Sequence, residues 1–164
     1  MSRAKSIKNK SNLSVSEFIA KIFFENSIEH VFIVPVIAVK LLKELDKFKI
    51  NKIITHSEQA AAFMADGYAR ARKKPSICMS QSVGALNLAS GLQDAYLSSS
   101  PVVAITGSRP THEQNRNAYQ EIDHSFFKFV TKFSEKLNSP EFVSLTFNKI
   151  FKLATSNCPG PVHL

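Results

Sequence analysis

The sequence contains no tryptophan, only two cysteines and five glycines, and fewer acidic than basic residues. Cys78 and Cys158 lie far apart and form no C-x-x-C pair, which argues against a disulfide framework and a cysteine-rich zinc site. No apolar run approaches the roughly 20 residues that cross a bilayer, so we expect no membrane contact. The N-terminus lacks the apolar core of a secretory signal, and we expect a cytoplasmic protein.

The basic excess amounts to a formal charge of +8. A cluster of such charge would be typical of nucleic-acid binding, because lysines and arginines neutralise phosphates. Here the charges are scattered: several lie in the polar segment before residue 13, and the others are spread over predicted helix faces and turns. We therefore expect no nucleic-acid partner. The absence of G-x-G-x-x-G and G-x-x-x-x-G-K-[ST] also disfavours a generic nucleotide site.

Short apolar segments alternate with amphipathic ones through most of the chain. Helices are predicted from the S-x-x-E capping box at Ser14 to about residue 26, over 41–48, 58–70 and 83–97, and from Pro140 onward. The last of these is expected to turn Phe142, Leu145, Ile150 and Leu153 inward. Strands are predicted at residues 30–35, 52–55, 76–80, 102–106, 129–133 and 162–164.

This alternation predicts an α/β fold, because each helix must return the chain to the same edge of the sheet and so makes the strands parallel. We expect a three-layer αβα sandwich with a mostly parallel sheet of roughly six strands. In such a sheet, ligands bind outside the carboxyl ends of the strands. Glu58 lies at that rim and begins a helix, where a carboxylate is favoured by the helix dipole. Taken alone, however, a first-turn glutamate is most simply a helix cap.

The segment around Glu58 allows a more specific interpretation. Residues 56–70 read HSEQAAAFMADGYAR, which is similar to the HEQAAAHMADGYARA signature of acetolactate synthases. Further segments of that family follow in the same order, namely VGALN at 83–87, PVVAITG at 101–107, YQEID at 119–123 and PGPV at 159–162. The chain thus resembles the pyrimidine-binding (PYR) domain of thiamine-diphosphate enzymes over residues 14–164, preceded by a polar basic tail at 1–13.

The resemblance implies roles for particular residues. It implies that Glu58 hydrogen-bonds N1′ of the cofactor's aminopyrimidine and that Gln120 reaches the reacting end of the cofactor. Pro35, Gly84 and Asn87 are the further implied contacts of thiamine diphosphate, and no residue is assigned to a metal. The implied reaction is acetolactate synthase-like: decarboxylation of a 2-oxo acid such as pyruvate, followed by carboligation.

Two differences from the family pattern affect this interpretation. The family's first βα turn resembles V-F-G-V-P-G-G, whereas this chain has Ile33, Val36 and Ile37 at the glycine positions. Because β-branched residues avoid positive φ, we expect a different turn there, and whether it still admits the cofactor stays open. In addition, nothing resembles the GDG…N segment with which the family's diphosphate-binding (PP) domain holds Mg²⁺.

We therefore expect the chain to be inactive alone and to need a PP domain or second subunit, in a homodimer or higher oligomer. Flavin (FAD) binding is left undecided by the sequence. The chain ends where a strand begins, at Pro161 to Leu164, and we expect a truncated or split gene product. The alternative hypothesis is a noncatalytic PYR-fold module that only dimerises.

Overall fold

A single sheet of six strands, every neighbouring pair parallel, organises the chain. The computed structural model describes residues 13–34, 39–119 and 121–164. The predictions for the tail before residue 13 and for the turn at Pro35, Val36 and Ile37 lie outside the described residues. The strands are β1 (His30–Ile33), β2 (Asn51–Ile54), β3 (Ser76–Gln81), β4 (Val102–Gly107), β5 (Phe133–Ser134) and β6 (Val162–His163), in the order β2-β1-β3-β4-β6-β5.

Helices cover both faces of this sheet, so the predicted three-layer α/β fold is confirmed. One apolar core joins the sheet to α1 (Val15–Glu25), α2 (Val39–Lys47) and α6 (Val143–Thr155). The other joins it to α3 (Glu58–Arg72), α4 (Ser82–Ala85) and α5 (Ala89–Leu97). Four 3₁₀ segments connect these elements: Leu86–Leu88, Thr111–Glu113, His124–Phe129 and Pro140–Phe142. In the described part of the chain, no helix has the length and apolarity needed to span a membrane.

The capping signal at the start of α1 is confirmed. The Ser14 hydroxyl oxygen accepts a hydrogen bond from the Glu17 backbone N–H at 3.2 Å, which satisfies one of the free amides at the helix start. Ala20, Ile22 and Phe23 then face the core and are buried. The helix therefore begins where the S-x-x-E spacing predicts and packs through the predicted apolar face.

Helices α3 and α5 lie unusually close together because their contact is made by small residues. Ala62, Ala65 and Ala69 of α3 are fully buried. A Cβ atom added to Gly91 of α5 would lie only 2.6 Å from the Ala62 Cβ, so no larger residue fits there without movement. At the other end of the contact, Arg70 pairs with the buried Asp66 of its own helix and reaches Asp94 of α5 at 2.6 Å.

Two of the predicted elements were wrong in detail. The single helix predicted over 83–97 is divided into α4, a 3₁₀ turn and α5; the turn buries Leu88 and brings Asn87 against the start of α3. The strand predicted over 129–133 is mostly absent. Asp123 instead accepts hydrogen bonds from the backbone N–H and hydroxyl of Ser125, which starts the 3₁₀ segment that runs to Phe129.

The inward face predicted for the last helix was also partly wrong. Ile150 is buried and Leu153 packs against the core, but Phe142 and Leu145 are exposed, at 53% and 68%. The 3₁₀ turn at Pro140–Phe142 precedes the regular helix and changes its phase, so that Val143 and Phe147 face the sheet instead.

The strand order places a switch point beside β1. The chain moves outward from β1 to β2 and then crosses back to β3 through α3, which lies on the opposite face from α2. Open α/β sheets form a crevice at the carboxyl ends of the strands where the winding direction reverses. The start of α3 and the start of α4 both lie at this edge.

Candidate functional site

Glu58 is held at the first position of α3 by hydrogen bonds of Thr55 and Ser57. The Thr55 hydroxyl donates a hydrogen bond to the Ser57 carbonyl oxygen at 2.8 Å and so fixes the turn that follows β2. The Ser57 hydroxyl oxygen accepts from the Ala60 backbone N–H at 3.1 Å and is the helix cap. Because Ser57 already caps the helix, the Glu58 carboxylate is not needed for that task.

The Glu58 side chain turns toward α4 and the 3₁₀ segment that follows it. Asn87 Nδ2 donates a hydrogen bond to Glu58 Oε2 at 3.2 Å. On the other side of the carboxylate lies Gly84, where an added Cβ would be 2.7 Å from Glu58 Cδ and 2.8 Å from the Ser80 hydroxyl oxygen. Glu58 therefore meets two residues that lie 26 and 29 positions further along the sequence, and only a glycine at position 84 leaves room for the carboxylate.

A hollow on the protein surface lies beside Asn87, the residue that donates to Glu58. The hollow has a volume of about 510 Å³ and is lined by Ser57, Gln59, Leu86, Asn87, Ala89 and Ser90. Glu58 itself is only partly buried. Ligand pockets usually enclose most of the ligand's surface, so this shallow hollow forms one wall of a pocket.

Large apolar side chains are exposed on the elements that carry Glu58 and its contacts, and one of them, Leu86, lines the hollow. Phe63 and Met64 on α3 are 42% and 44% exposed, and Val83 and Leu86 beside the Glu58 contacts are 50% and 45% exposed. Such side chains on the same helices are typical of a surface that another protein segment covers.

Two of the residues implied by the resemblance fall outside this description. Pro35 and Gln120 are not among the described residues, so their implied contacts stay predictions. Glu58, Gly84 and Asn87 do come together, as their resemblance to one family site requires. In the described ranges, no group of three or more His, Cys, Asp and Glu residues is arranged to hold a metal ion.

A second polar cluster was missed by the sequence analysis. Thr106, His124, Ser134 and His163 line a larger cavity, of about 970 Å³, at the carboxyl ends of β4, β5 and β6. Burial, together with nearby His124, lowers the pKa of His163 to about 3, so its ring is neutral. Thr106 lies within the PVVAITG segment, and the two histidines directly follow the YQEID and PGPV segments, but the sequence assigned no role to any of them and only the fold brings them together.

The fold is a parallel α/β domain with a candidate site at Glu58, and comparison with known proteins identifies the family. Residues 13–127 match the family described as thiamine pyrophosphate enzyme, N-terminal TPP binding domain. The chain belongs to this family.

Individual relatives agree with that assignment. A probable acetolactate synthase large subunit of Methanocaldococcus jannaschii is 46% identical over 114 residues, which cover 68% of this chain and 19% of that protein. The acetolactate synthase large subunit of Buchnera aphidicola is 34% identical over 156 residues, 92% of this chain and 27% of that protein. The chain thus spans only about a fifth to a quarter of the length of these relatives.

A solved structure has the same fold. The thiamine diphosphate-dependent 4-hydroxybenzoylformate decarboxylase of Rhodococcus jostii RHA1 superposes with a TM-score of 0.82 and covers 92% of this chain and 29% of its own. The two sequences are 22% identical, so this likeness concerns the fold alone.

Proposed function

We propose that the chain supplies the pyrimidine-binding half of an acetolactate synthase-like active site, which acts on 2-oxo acids such as pyruvate. The observation that carries the proposal is the Glu58 carboxylate, which lies between Gly84 and Asn87 at the carboxyl edge of a parallel sheet. This arrangement falls inside the segment that matches the thiamine pyrophosphate family. If Glu58 only capped its helix, neither Gly84 nor Asn87 would be needed beside its carboxylate.

The chemistry of the proposed site follows from these three residues. When bound, thiamine diphosphate supplies the carbon nucleophile and the electron sink for cleavage of a 2-oxo acid. Asn87 holds Oε2 of Glu58, and this contact orients the carboxylate so that it can share a proton with a ring nitrogen of the cofactor. Gly84 keeps the approach to the carboxylate free of side-chain atoms.

The other half of the proposed site must come from another polypeptide segment. We assign the diphosphate and its Mg²⁺ to a PP domain or a second subunit, and we propose that this partner covers Phe63, Met64, Val83 and Leu86. The exposure of these four side chains, one of which, Leu86, lines the hollow, supports the assignment. We propose no flavin-binding role for this chain.

A chimera tests the proposal. Residues 13–164 would replace the matching segment of the Methanocaldococcus jannaschii relative, and pyruvate consumption would be measured with thiamine diphosphate and Mg²⁺. We expect an active chimera, and Glu58→Gln should reduce turnover by roughly 10² to 10⁴, the usual contribution of a positioned acid–base group. Glu17→Gln is the matched control, since Glu17 is also a first-turn carboxylate but lies in α1.

The noncatalytic dimerisation module is the second candidate, and one feature favours it. Val36 and Ile37 occupy positions where the family has glycines, in the turn that would approach the cofactor. A folded, oligomeric chimera that binds no thiamine diphosphate would support this candidate and contradict the catalytic proposal.

A further inference from the structure

Ser80 carries a buried hydroxyl at the carboxyl end of β3, and its hydrogen bonding is weak. The residue is only 1% exposed. Among the described residues, its hydroxyl has one hydrogen-bond partner, the carbonyl oxygen of the adjacent Gln81, at 3.4 Å. That distance lies beyond the usual range of about 2.5 to 3.0 Å for a hydroxyl donor. Because buried polar groups are normally well satisfied, a better acceptor is expected close by.

The alternation of side chains along β3 turns Ser80 toward α3. Ser76 donates to the Ala65 carbonyl oxygen of α3 at 2.7 Å, and Cys78 packs in the core that α3 shares. Successive strand residues point to opposite faces, so Ser80, two positions after Cys78, points to the same face. Four strand residues advance by roughly 13 Å, and the helix rises by roughly 10 Å from Ala65 back to Glu58, so Ser80 reaches the level at which α3 begins.

The Glu58 carboxylate lies on this face, across a gap from the Ser80 hydroxyl. A Cβ atom added to Gly84 would lie 2.8 Å from Ser80 Oγ and 2.7 Å from Glu58 Cδ, with Glu58 Oε1 as its nearest atom. The hydroxyl and Oε1 therefore border the same gap, which Gly84 leaves open. Asn87 donates to the other oxygen, Oε2, and in the described ranges no side chain donates to Oε1.

We infer that Ser80 is a positioning residue for Glu58, with its hydroxyl donating a hydrogen bond to Oε1 while Asn87 donates to Oε2. A rotation of the flexible Glu58 side chain across the gap makes this bond and replaces the long bond to the Gln81 carbonyl by a charge-assisted one. Two donors on different elements then fix the plane of the carboxylate. Each carboxylate oxygen has two lone pairs, so both keep acceptor capacity for a further group.

This hydrogen bond stands apart from the proposed function, whereas its effect on turnover rests on that function. The first measurement therefore uses the full chain alone, and follows the ¹³C resonance of the Glu58 carboxyl carbon at neutral pH. Ser80→Ala should shift this resonance, because the carboxylate loses a donor. Ser76→Ala is the matched control, since Ser76 is an equally buried hydroxyl on the same face of β3 but bonds to α3, and it should leave the resonance in place. An unmoved resonance in Ser80→Ala would overturn the inference.

The second measurement uses the chimera. Ser80→Ala should reduce kcat by roughly tenfold to a hundredfold, the effect of one hydrogen bond to a charged group. The half-saturating concentration of thiamine diphosphate should change far less, because orientation and not binding is lost. Ser76→Ala should keep kcat although it gives up the shorter hydrogen bond and lowers the thermal midpoint more. If Ser76→Ala lost as much kcat as Ser80→Ala, the loss would come from stability, and the inference would be wrong.

Two further variants separate positioning from packing. Ser80→Cys keeps the size of the side chain but has only a weak S–H donor, so its kcat should resemble that of Ser80→Ala. Full turnover in Ser80→Cys would assign the effect to side-chain size and refute the role of the hydroxyl. Ser80→Ala combined with Glu58→Gln should lose little more than Glu58→Gln alone, because Ser80 acts through the carboxylate. A further tenfold loss in the double variant would contradict this.

The inference and the proposed function fail in different ways. If the chimera is inactive but the Glu58 resonance still depends on Ser80, the proposed function is contradicted and the contact between Ser80 and Glu58 stands. If the chimera is active and Glu58→Gln loses turnover while Ser80→Ala does not, the proposed function stands and the role of Ser80 is refuted.

Discussion

The contact between α3 and α5 leads to a quantitative prediction about two glycines. Gly67 and Gly91 both lie within helices and both have negative φ, so alanine is compatible with the backbone at either position. An added Cβ at Gly67 meets nothing within 4 Å. At Gly91 it meets the Ala62 Cβ at 2.6 Å, and the Ala62 carbonyl carbon and Phe63 nitrogen at 2.9 Å.

The expected free energies follow from this difference. Replacement of a helical glycine by alanine stabilises a protein by about 0.5 to 1 kcal/mol, and Gly67→Ala should show this gain. Gly91→Ala also adds an overpacking cost of about 1 to 3 kcal/mol, toward the upper end because backbone atoms of α3 cannot rotate away. We therefore expect the two variants to differ by about 2 to 3 kcal/mol, or roughly 4 to 12 °C in thermal midpoint for a domain of this size.

Circular dichroism during thermal and urea unfolding would measure both variants beside the unmodified chain. The dependence of the unfolding free energy on urea should be unchanged, since the same surface is exposed in each case. If the Gly91→Ala protein were as stable as the Gly67→Ala protein, α3 and α5 would have to lie farther apart than the 2.6 Å approach at Gly91 indicates.

Three further results are expected. Gly84→Ala in the chimera should abolish thiamine diphosphate binding with a smaller loss of stability than Gly91→Ala, because its Cβ meets the flexible end of Glu58; unchanged affinity in a titration would refute this. Lys132→Met should lower the unfolding free energy by about 1 to 2 kcal/mol in urea titrations, since Lys132 Nζ donates to three carbonyls at the end of α6. Because the pKa of His163 is lowered to about 3 in the fold, the unfolded chain takes up a proton first on acidification. Stability should therefore be full above about pH 6.5 and fall toward pH 3 by at most about 1.4 kcal/mol per pH unit, and His163→Leu should remove that slope in unfolding curves.

The parts of the fold that could be predicted are those fixed by local pattern. The strands around Val31, Ile77 and Val103 are short apolar runs between polar residues, and the first helix begins at an explicit cap. The last helix was misjudged because Pro140 begins a 3₁₀ turn, and a shift of phase by one or two residues exchanges the buried and exposed faces. That shift depends on how the turn packs, which periodicity alone does not contain.

The same distinction, between what local sequence determines and what it does not, separates the residues around Glu58 from the polar cluster around His163. Glu58 was found because it lies in a long stretch of sequence that resembles one family, and the contact with Asn87 depends on an unpredicted break between α4 and α5. The contacts among His124, Thr106 and His163 were not predicted although the three residues lie in or next to family-like segments, because they meet only when β4 and β6 become neighbours. Long-range strand pairing is what local pattern predicts least well.

The position of Glu58 also explains why this sheet alone makes an incomplete pocket. Among the described residues, the carboxylate contacts α4 and the 3₁₀ segment after it, and the hollow lined by Asn87 and the exposed Leu86 is shallow. A carboxylate in open water shares a proton poorly with a ring nitrogen, because water competes for both groups and weakens the interaction. A covering segment would exclude that water and bury the exposed apolar side chains in the same step. The partner proposed to cover the apolar side chains near Glu58 is therefore also the one that would serve the proposed chemistry.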